Sequence, residues 1–213
     1  MREREAQTTS PARRVSTLVF DIGNVLIEWD PRHLYRRIFD TPKAMEAFLS
    51  EICTPAWNLE QDRGRSFAEG VAELVAKHPE YEAEIRAFDE RWAEMTPGLV
   101  SGTLALVERL EAKGAPLYAI TNFSAEKYEE ARLRFPFFDR FRGTIVSGRE
   151  RLVKPDRAIF DLLLTRYALS AGECLFIDDS AANIATAGSL GMATHHFRDA
   201  QRLEVELVEL ELI

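Results

Sequence analysis

Short apolar runs that stop on polar residues, with helix-patterned stretches between them, constrain this chain more than any other feature. Leu18-Val19-Phe20 stops on Asp21, Leu117-Tyr118-Ala119-Ile120 on Thr121 and Asn122, and Cys174-Leu175-Phe176-Ile177 on Asp178 and Asp179. Runs this short and without polar alternation suit strands buried on both faces of a parallel sheet. Between them, Leu104, Val107 and Leu110 recur at helical spacing from Ser101 to Lys113, and Gly114 follows as a stop signal. Further helices are predicted from Ala125 to Arg134, after Pro155 along Ile159, Phe160, Leu163 and Leu164, and from a Ser180 cap through Leu190 to Gly191. Thr144-Ile145-Val146 and Ala193 to Phe197 add extended pieces. Strands alternating with helices specify an α/β fold with a doubly wound, mainly parallel sheet, whose ligands bind at the carboxyl ends of the strands.

Residues from Pro31 to Thr96 break that rhythm. They carry helical patterns, as in Ala44-Phe48-Leu49-Ile52 and Phe67-Val71-Leu74-Val75, and no convincing strand, which predicts a helical insert after the first strand. The expected organisation is a core of residues 17–30 and 97–213 with an insert of 31–96. Hinges are expected near Asp30-Pro31 and Thr96-Pro97-Gly98. The opening MREREAQTTSPARR mixes charges and has no apolar run, so residues 1–16 read as a mobile tail, neither signal peptide nor membrane anchor. With 46% hydrophobic residues the chain has enough apolar side chains for a full core, which excludes disorder throughout. A formal net charge of -8 supplies no basic field for nucleic acid or an anionic membrane. Cys53 and Cys174 are far apart and outside any CxxC pattern, in keeping with a reducing cytoplasm.

Asp21, Thr121, Asn122, Asp178 and Asp179 end different strands, and the ends of a doubly wound sheet converge on one crevice. Carboxylates crowded together repel each other and rise in pKa unless a cation shares the site. Magnesium, which takes a few carboxylates with water and substrate phosphate, resolves that conflict, so Asp21, Asp178 and Asp179 form a plausible cradle for Mg2+. A carboxylate beside a phosphoryl group can attack phosphorus and form an aspartyl-phosphate. Lys154 is expected to pair with the charged oxygens and hold the nucleophile, while Thr121 and the Asn122 backbone donate to the transferring oxygens.

These residues carry a resemblance. Phe20-Asp21-Ile22-Gly23-Asn24-Val25-Leu26, Ile120-Thr121-Asn122, Val153-Lys154-Pro155-Asp156 and Phe176-Ile177-Asp178-Asp179-Ser180 with Asn183 resemble, in order, the four motifs of haloacid dehalogenase-like hydrolases. The resemblance runs from about Thr17 to Phe197 and implies a Rossmann-like core with a helical cap. It also implies a small phosphorylated metabolite as substrate, with catalytic Asp21, Lys154 and Thr121. The segment DIGNVLIEWDPR is similar to a bacterial subgroup acting on alpha-glucose 1-phosphate. Family phosphatases carry a second aspartate two positions after the nucleophile, as general acid and base; Gly23 stands there instead, leaving only its backbone carbonyl as an implied magnesium ligand. Gly23 alone would suit a 2-haloacid dehalogenase, which uses the same aspartate and neither magnesium nor an acid, but the pair Asp178-Asp179 argues for phosphoryl hydrolysis. A third class, a binding protein without turnover, has only Gly23 in its favour.

Secondary candidates are weaker. Trp57, Asn58, Asp62 and Arg63 are read as a polar loop within the insert; Trp57 and Arg63 are candidate substrate contacts, with Arg63-Gly64 placed to meet a hydroxyl or carboxylate, but a Trp packing the insert and a solvated Arg are the preferred reading. Asn183, one helical turn beyond Asp179, is placed to orient the metal site. Ser124 is read as a phosphate contact or a helix cap, and Arg36 and Arg37 as a solvated helical face at the entrance. His33, an exposed His78, and His195-His196 on opposite faces of a strand lack ligand spacing and read as structural. No pattern in the sequence names the substrate or the oligomeric state.

Overall fold

Leu18 and Phe20 pack on one side of the central sheet and Val19 on the other, which is why their run shows no polar alternation. The computed structural model describes residues 15–213, so most of the expected tail lies outside the described residues. Strands β1 (Thr17–Phe20), β2 (Leu117–Thr121), β3 (Gly143–Val146), β4 (Cys174–Asp178) and β5 (Ala193–His196) pair in parallel in the order β3-β2-β1-β4-β5. β1 is therefore central, and the order reverses on either side of it, so the crevice of a doubly wound sheet opens where β1 ends at Asp21.

Between β1 and β2 lie α1 (Arg32–Tyr35), α2 (Pro42–Glu51), α3 (Pro55–Asp62), α4 (Phe67–Lys77) and α5 (Glu82–Glu90) of the insert, then α6 (Thr103–Ala112) of the core. α7 (Ala125–Arg134) and α8 (Ser147–Glu150) flank β3, α9 (Arg157–Arg166) precedes β4, α10 (Ala181–Ser189) precedes β5, and α11 (Ala200–Glu209) follows it. α6, α7 and α11 bury apolar residues with Leu18 and Phe20, whereas α9 and α10 pack with Val19 on the opposite face. α11 extends the fold past the last element expected from the pattern. Asp199 caps it through Arg202 N–H, and Leu203 and Leu207 are fully buried.

Residues 31–96 contain helices and 3₁₀ turns and no strand. The stretch expected as a polar loop is α3: Thr54 Oγ1 accepts from Trp57 N–H at 3.0 Å and Pro55 takes the first helical position. Periodicity missed it because α3 has no apolar stripe; Gln61 is its one fully buried residue. A capping box between Ser66 and Glu69 then starts α4. The two chain crossings between insert and core run side by side. Glu28 N–H donates to Gly98 O and Asp30 N–H to Met95 O, each at 3.0 Å, and Ile27 bridges Leu99 in antiparallel sense. The insert rests on the loop after β2 through Trp92 against Phe123, ring centroids 5.4 Å apart, and on α7 through Lys127 Nζ, 2.7 Å from Asp89 Oδ1. No helix among the described residues is long and apolar enough to cross a membrane.

Candidate active site

β1 and β4 are register neighbours, so Asp21 and Asp178, each at or just beyond its strand's carboxyl end, arrive together. Lys154 reaches between them: Nζ is 2.8 Å from Asp21 Oδ2 and 2.6 Å from Asp178 Oδ2. The loop bearing it is tied to the end of β2 by a reciprocal pair, Asn122 Nδ2 donating to Lys154 O at 2.9 Å and Lys154 N–H to Asn122 Oδ1 at 2.8 Å. The Asn122 side chain is thus occupied in placing Lys154. Asn183, on α10, donates Nδ2 to both oxygens of Asp178 at 3.0 Å, and Ser180 N–H adds a bond of 2.8 Å. Ile22 N–H donates to Asp21 Oδ1 at 2.6 Å.

Oxygens of Asp21, Asp178 and Asp179 lie within 4.8 Å of one another. Burial pushes the Asp21 carboxyl up, Lys154 pulls it down, and Asp178 and Asp179 push it up again, leaving it at about 7. Asp179 is raised by burial and by Asp178. Burial works against the Lys154 ammonium, but Asp21 and Asp178 overcome this and raise it above the ordinary lysine value. One ammonium among three close carboxylates leaves an excess of negative charge. A hard divalent cation with oxygen ligands fits that donor set.

Above this cluster lies a chamber of about 200 Å³, with Asp21, Gly23, Asn122 and Asp179 on its floor side and Asn58, Asp62 and Phe67 contributed by the insert. Thr121 is buried at the end of β2 and is not among the lining residues. Trp57 and Arg63 are also off the chamber. Trp57 packs edge-on against Phe88 and donates Nε1–H to Gly70 O at 3.2 Å, inside the insert; Arg63 is exposed, 4.0 Å from Asp156. The physical reason is that the segment is helical. Asn58 and Asp62 share one face a turn apart and reach the chamber, while Trp57 and Arg63 are rotated away. Ser124 caps α7 by accepting from Lys127 N–H at 3.2 Å, and it also lines the chamber. Arg36 is exposed and Arg37 pairs with Glu94, both off the lining. His33 and His78 are half-buried, the latter against expectation, while His195 pairs with Glu206 of α11 and His196 Nε2 meets Asp179 O at 2.9 Å.

Residues 15–191 match the haloacid dehalogenase-like hydrolase family. The chain belongs to that family. Among curated proteins this hydrolase is 26% identical over 194 residues to the sesquiterpene phosphatase astK of Aspergillus oryzae, covering 90% of this chain and 94% of that one. Its fold is similar to a HAD-like family hydrolase from Porphyromonas gingivalis, with a TM-score of 0.71 at 22% identity over 92% of this chain and 98% of the other. It is also similar to a HAD family enzyme of Bacteroides thetaiotaomicron in complex with magnesium and inorganic phosphate, with a TM-score of 0.66 at 24% identity over 87% and 95% of the two chains. In this haloacid dehalogenase-like hydrolase the chamber residues that the motifs did not announce include Phe67, Trp92, Thr96, Phe123 and Lys127. The helical pattern marked Phe67 as a packing residue, and no local signal distinguishes packing from lining.

Proposed function

We propose that this hydrolase is a magnesium-dependent phosphatase that cleaves a small phosphorylated metabolite through an aspartyl-phosphate. The observation that carries the reading is the cluster of Asp21, Asp178 and Asp179 around the single cation Lys154. Displacement of halide from carbon needs no such excess of carboxylates. The name of astK and the magnesium and phosphate of the Bacteroides complex support the same choice.

Lys154 and Ile22 N–H each hold one oxygen of Asp21, fixing the direction in which the carboxylate presents its lone pairs. Asp21 attacks phosphorus, the bond to the leaving alcohol breaks, and water then displaces Asp21 from phosphorus to release phosphate. Asp21, Asp178, Asp179 and the Gly23 carbonyl would hold magnesium, which would supply positive charge for the phosphoryl oxygens. The Asn122 backbone N–H donates to the same oxygens. Residues 31–96 act as a cap whose paired crossings form the hinge, admitting substrate and excluding water on closure. The segment DIGNVLIEWDPR points to a sugar 1-phosphate and the astK name to a terpenoid ester; the walls of the chamber bear on that choice.

A panel of sugar phosphates, nucleotides, an alkyl phosphate and 2-haloacids, assayed with magnesium and with a chelator, tests the reading. Phosphate release that the chelator abolishes is expected, and Asp21→Asn should lower it by about a thousandfold or more while circular dichroism stays unchanged. Halide release that survives the chelator, without phosphate release, would establish the dehalogenase instead.

A further inference from the structure

A phosphatase of this kind must put a proton on the departing oxygen, and Gly23 has no side chain to supply it. Neither packing nor backbone demands glycine there: a Cβ at Gly23 meets no atom within 4 Å, and the residue is not in the left-handed region. The acid must come from another wall of the chamber. Lys127 lines it, but its ammonium is already bonded to Asp89 Oδ1, Glu130 Oε1 and Asp89 O, at 2.7, 2.7 and 3.0 Å. Asp179 belongs to the carboxylate cluster.

We propose that Asp62, brought into the chamber by α3, is the catalytic acid that replaces the missing side chain at Gly23. The assignment rests on the phosphatase reading. Asp62 lines the same chamber as Asp21 and Gly23, is half-buried, and is bonded by Asn58 Nδ2 at 3.3 Å, a turn back along α3, and by the Ser124 backbone N–H. No lysine, arginine or histidine among the described residues lies within 4.0 Å of it. It is the last residue of α3, where the negative end of the helix dipole favours the protonated carboxyl. Burial pushes it to about 7, outweighing the Ser124 backbone N–H, so a proton is available near neutral pH. As the Asp21 oxygen bonds to phosphorus and the ester P–O bond breaks, the Asp62 proton passes to the alcohol oxygen. In the second displacement water attacks phosphorus and gives a proton to Asp62, which restores the acid and frees Asp21 as carboxylate.

An acid in this position matters for leaving groups that are poor as free alkoxides. Ile27, Trp29, Phe67, Trp92 and Phe123 give that leaving group an apolar surround. Asn24 Oδ1 accepts from Trp29 N–H at 2.9 Å and the Lys127 ammonium is fully engaged, so the Asn24 carbonyl and the one cationic lining group are both taken beside this apolar surround. The substrate class is therefore the phosphate monoester of an unactivated, largely apolar alcohol.

Phosphate release from octyl phosphate, glucose 1-phosphate and p-nitrophenyl phosphate, with magnesium, tests both parts in the full chain. The wild type should show kcat/KM for octyl phosphate at least about tenfold above that for glucose 1-phosphate. Asp62→Asn should lower kcat on octyl phosphate by about a hundredfold or more, the scale of general acid catalysis, with a loss on p-nitrophenyl phosphate at least about tenfold smaller. Adding Gly23→Asp to Asp62→Asn should recover at least about tenfold on octyl phosphate, which a misfolded variant would not do. Equal losses on the octyl and nitrophenyl esters, or failure of the double variant to recover, overturn the acid. Preference for glucose 1-phosphate overturns the apolar substrate class, and a wild type that releases phosphate from none of the three overturns the phosphatase reading itself.

Discussion

Two oxygens of Asp178 receive Asn183, Ser180 and Lys154 at once, so this carboxylate is held more tightly than any side chain around the chamber. Such outer partners orient a metal-ligating carboxylate, and their loss weakens metal affinity by roughly 10- to 100-fold. Asn183→Ala should accordingly raise the magnesium concentration for half-maximal phosphate release by a factor in that range, with saturating activity recovered at high magnesium; an unchanged magnesium titration would remove Asn183 from the site. The motif spacing made Asn183 legible, since one turn of helix separates it from Asp179. Asn122 was legible in place but not in use, because its side chain bonds the backbone of a loop remote in sequence.

Among the elements, α3 joins fold to chemistry. It has no apolar stripe to hold it down, so its start depends on Thr54 and Pro55 and its angle decides whether Asp62 faces the chamber. Thr54→Ala removes the side chain that satisfies Trp57 N–H and should cost about 1 kcal/mol in urea unfolding. The same variant should lower turnover of an alkyl phosphate more than that of a nitrophenyl ester, since a frayed α3 misplaces the acid. A loss of stability with equal effects on the two esters would confine Thr54 to a structural part.

The molecule as a whole places core and insert as two walls of one chamber, joined at the paired crossings and braced by Trp92 on Phe123 and Lys127 on Asp89. Asp21 and Asp179 from the core, Lys127 from α7 and Asp62 from α3 are the charged groups lining that space. Asp62 has a folded-state value of about 7 against an ordinary 3.8. Between those values the native chain binds a proton that the unfolded chain has lost, so stability falls as pH rises through that window and levels off above it. Asp62→Asn lacks this term, while Asp21 titrates in both proteins. The stability of the variant relative to the wild type should therefore increase from pH 5 to pH 8, as read by urea unfolding at each pH. A difference independent of pH would contradict the raised carboxyl.

Sequence alone determined the strands, the parallel sheet and the meeting of Asp21, Lys154 and Asp178, because apolar runs report burial and the ends of parallel strands must open on one edge. It did not determine the strand order, α11, or the way the insert rests on Phe123 through Trp92 and on Lys127 of α7 through Asp89, since these depend on which surfaces fit across the fold. Asp62 shows the difference most clearly. Its residue type and its neighbours Asn58 and Arg63 read as a polar loop, and only a helix closed over the sheet turns that aspartate toward the crevice and dries it enough to keep a proton.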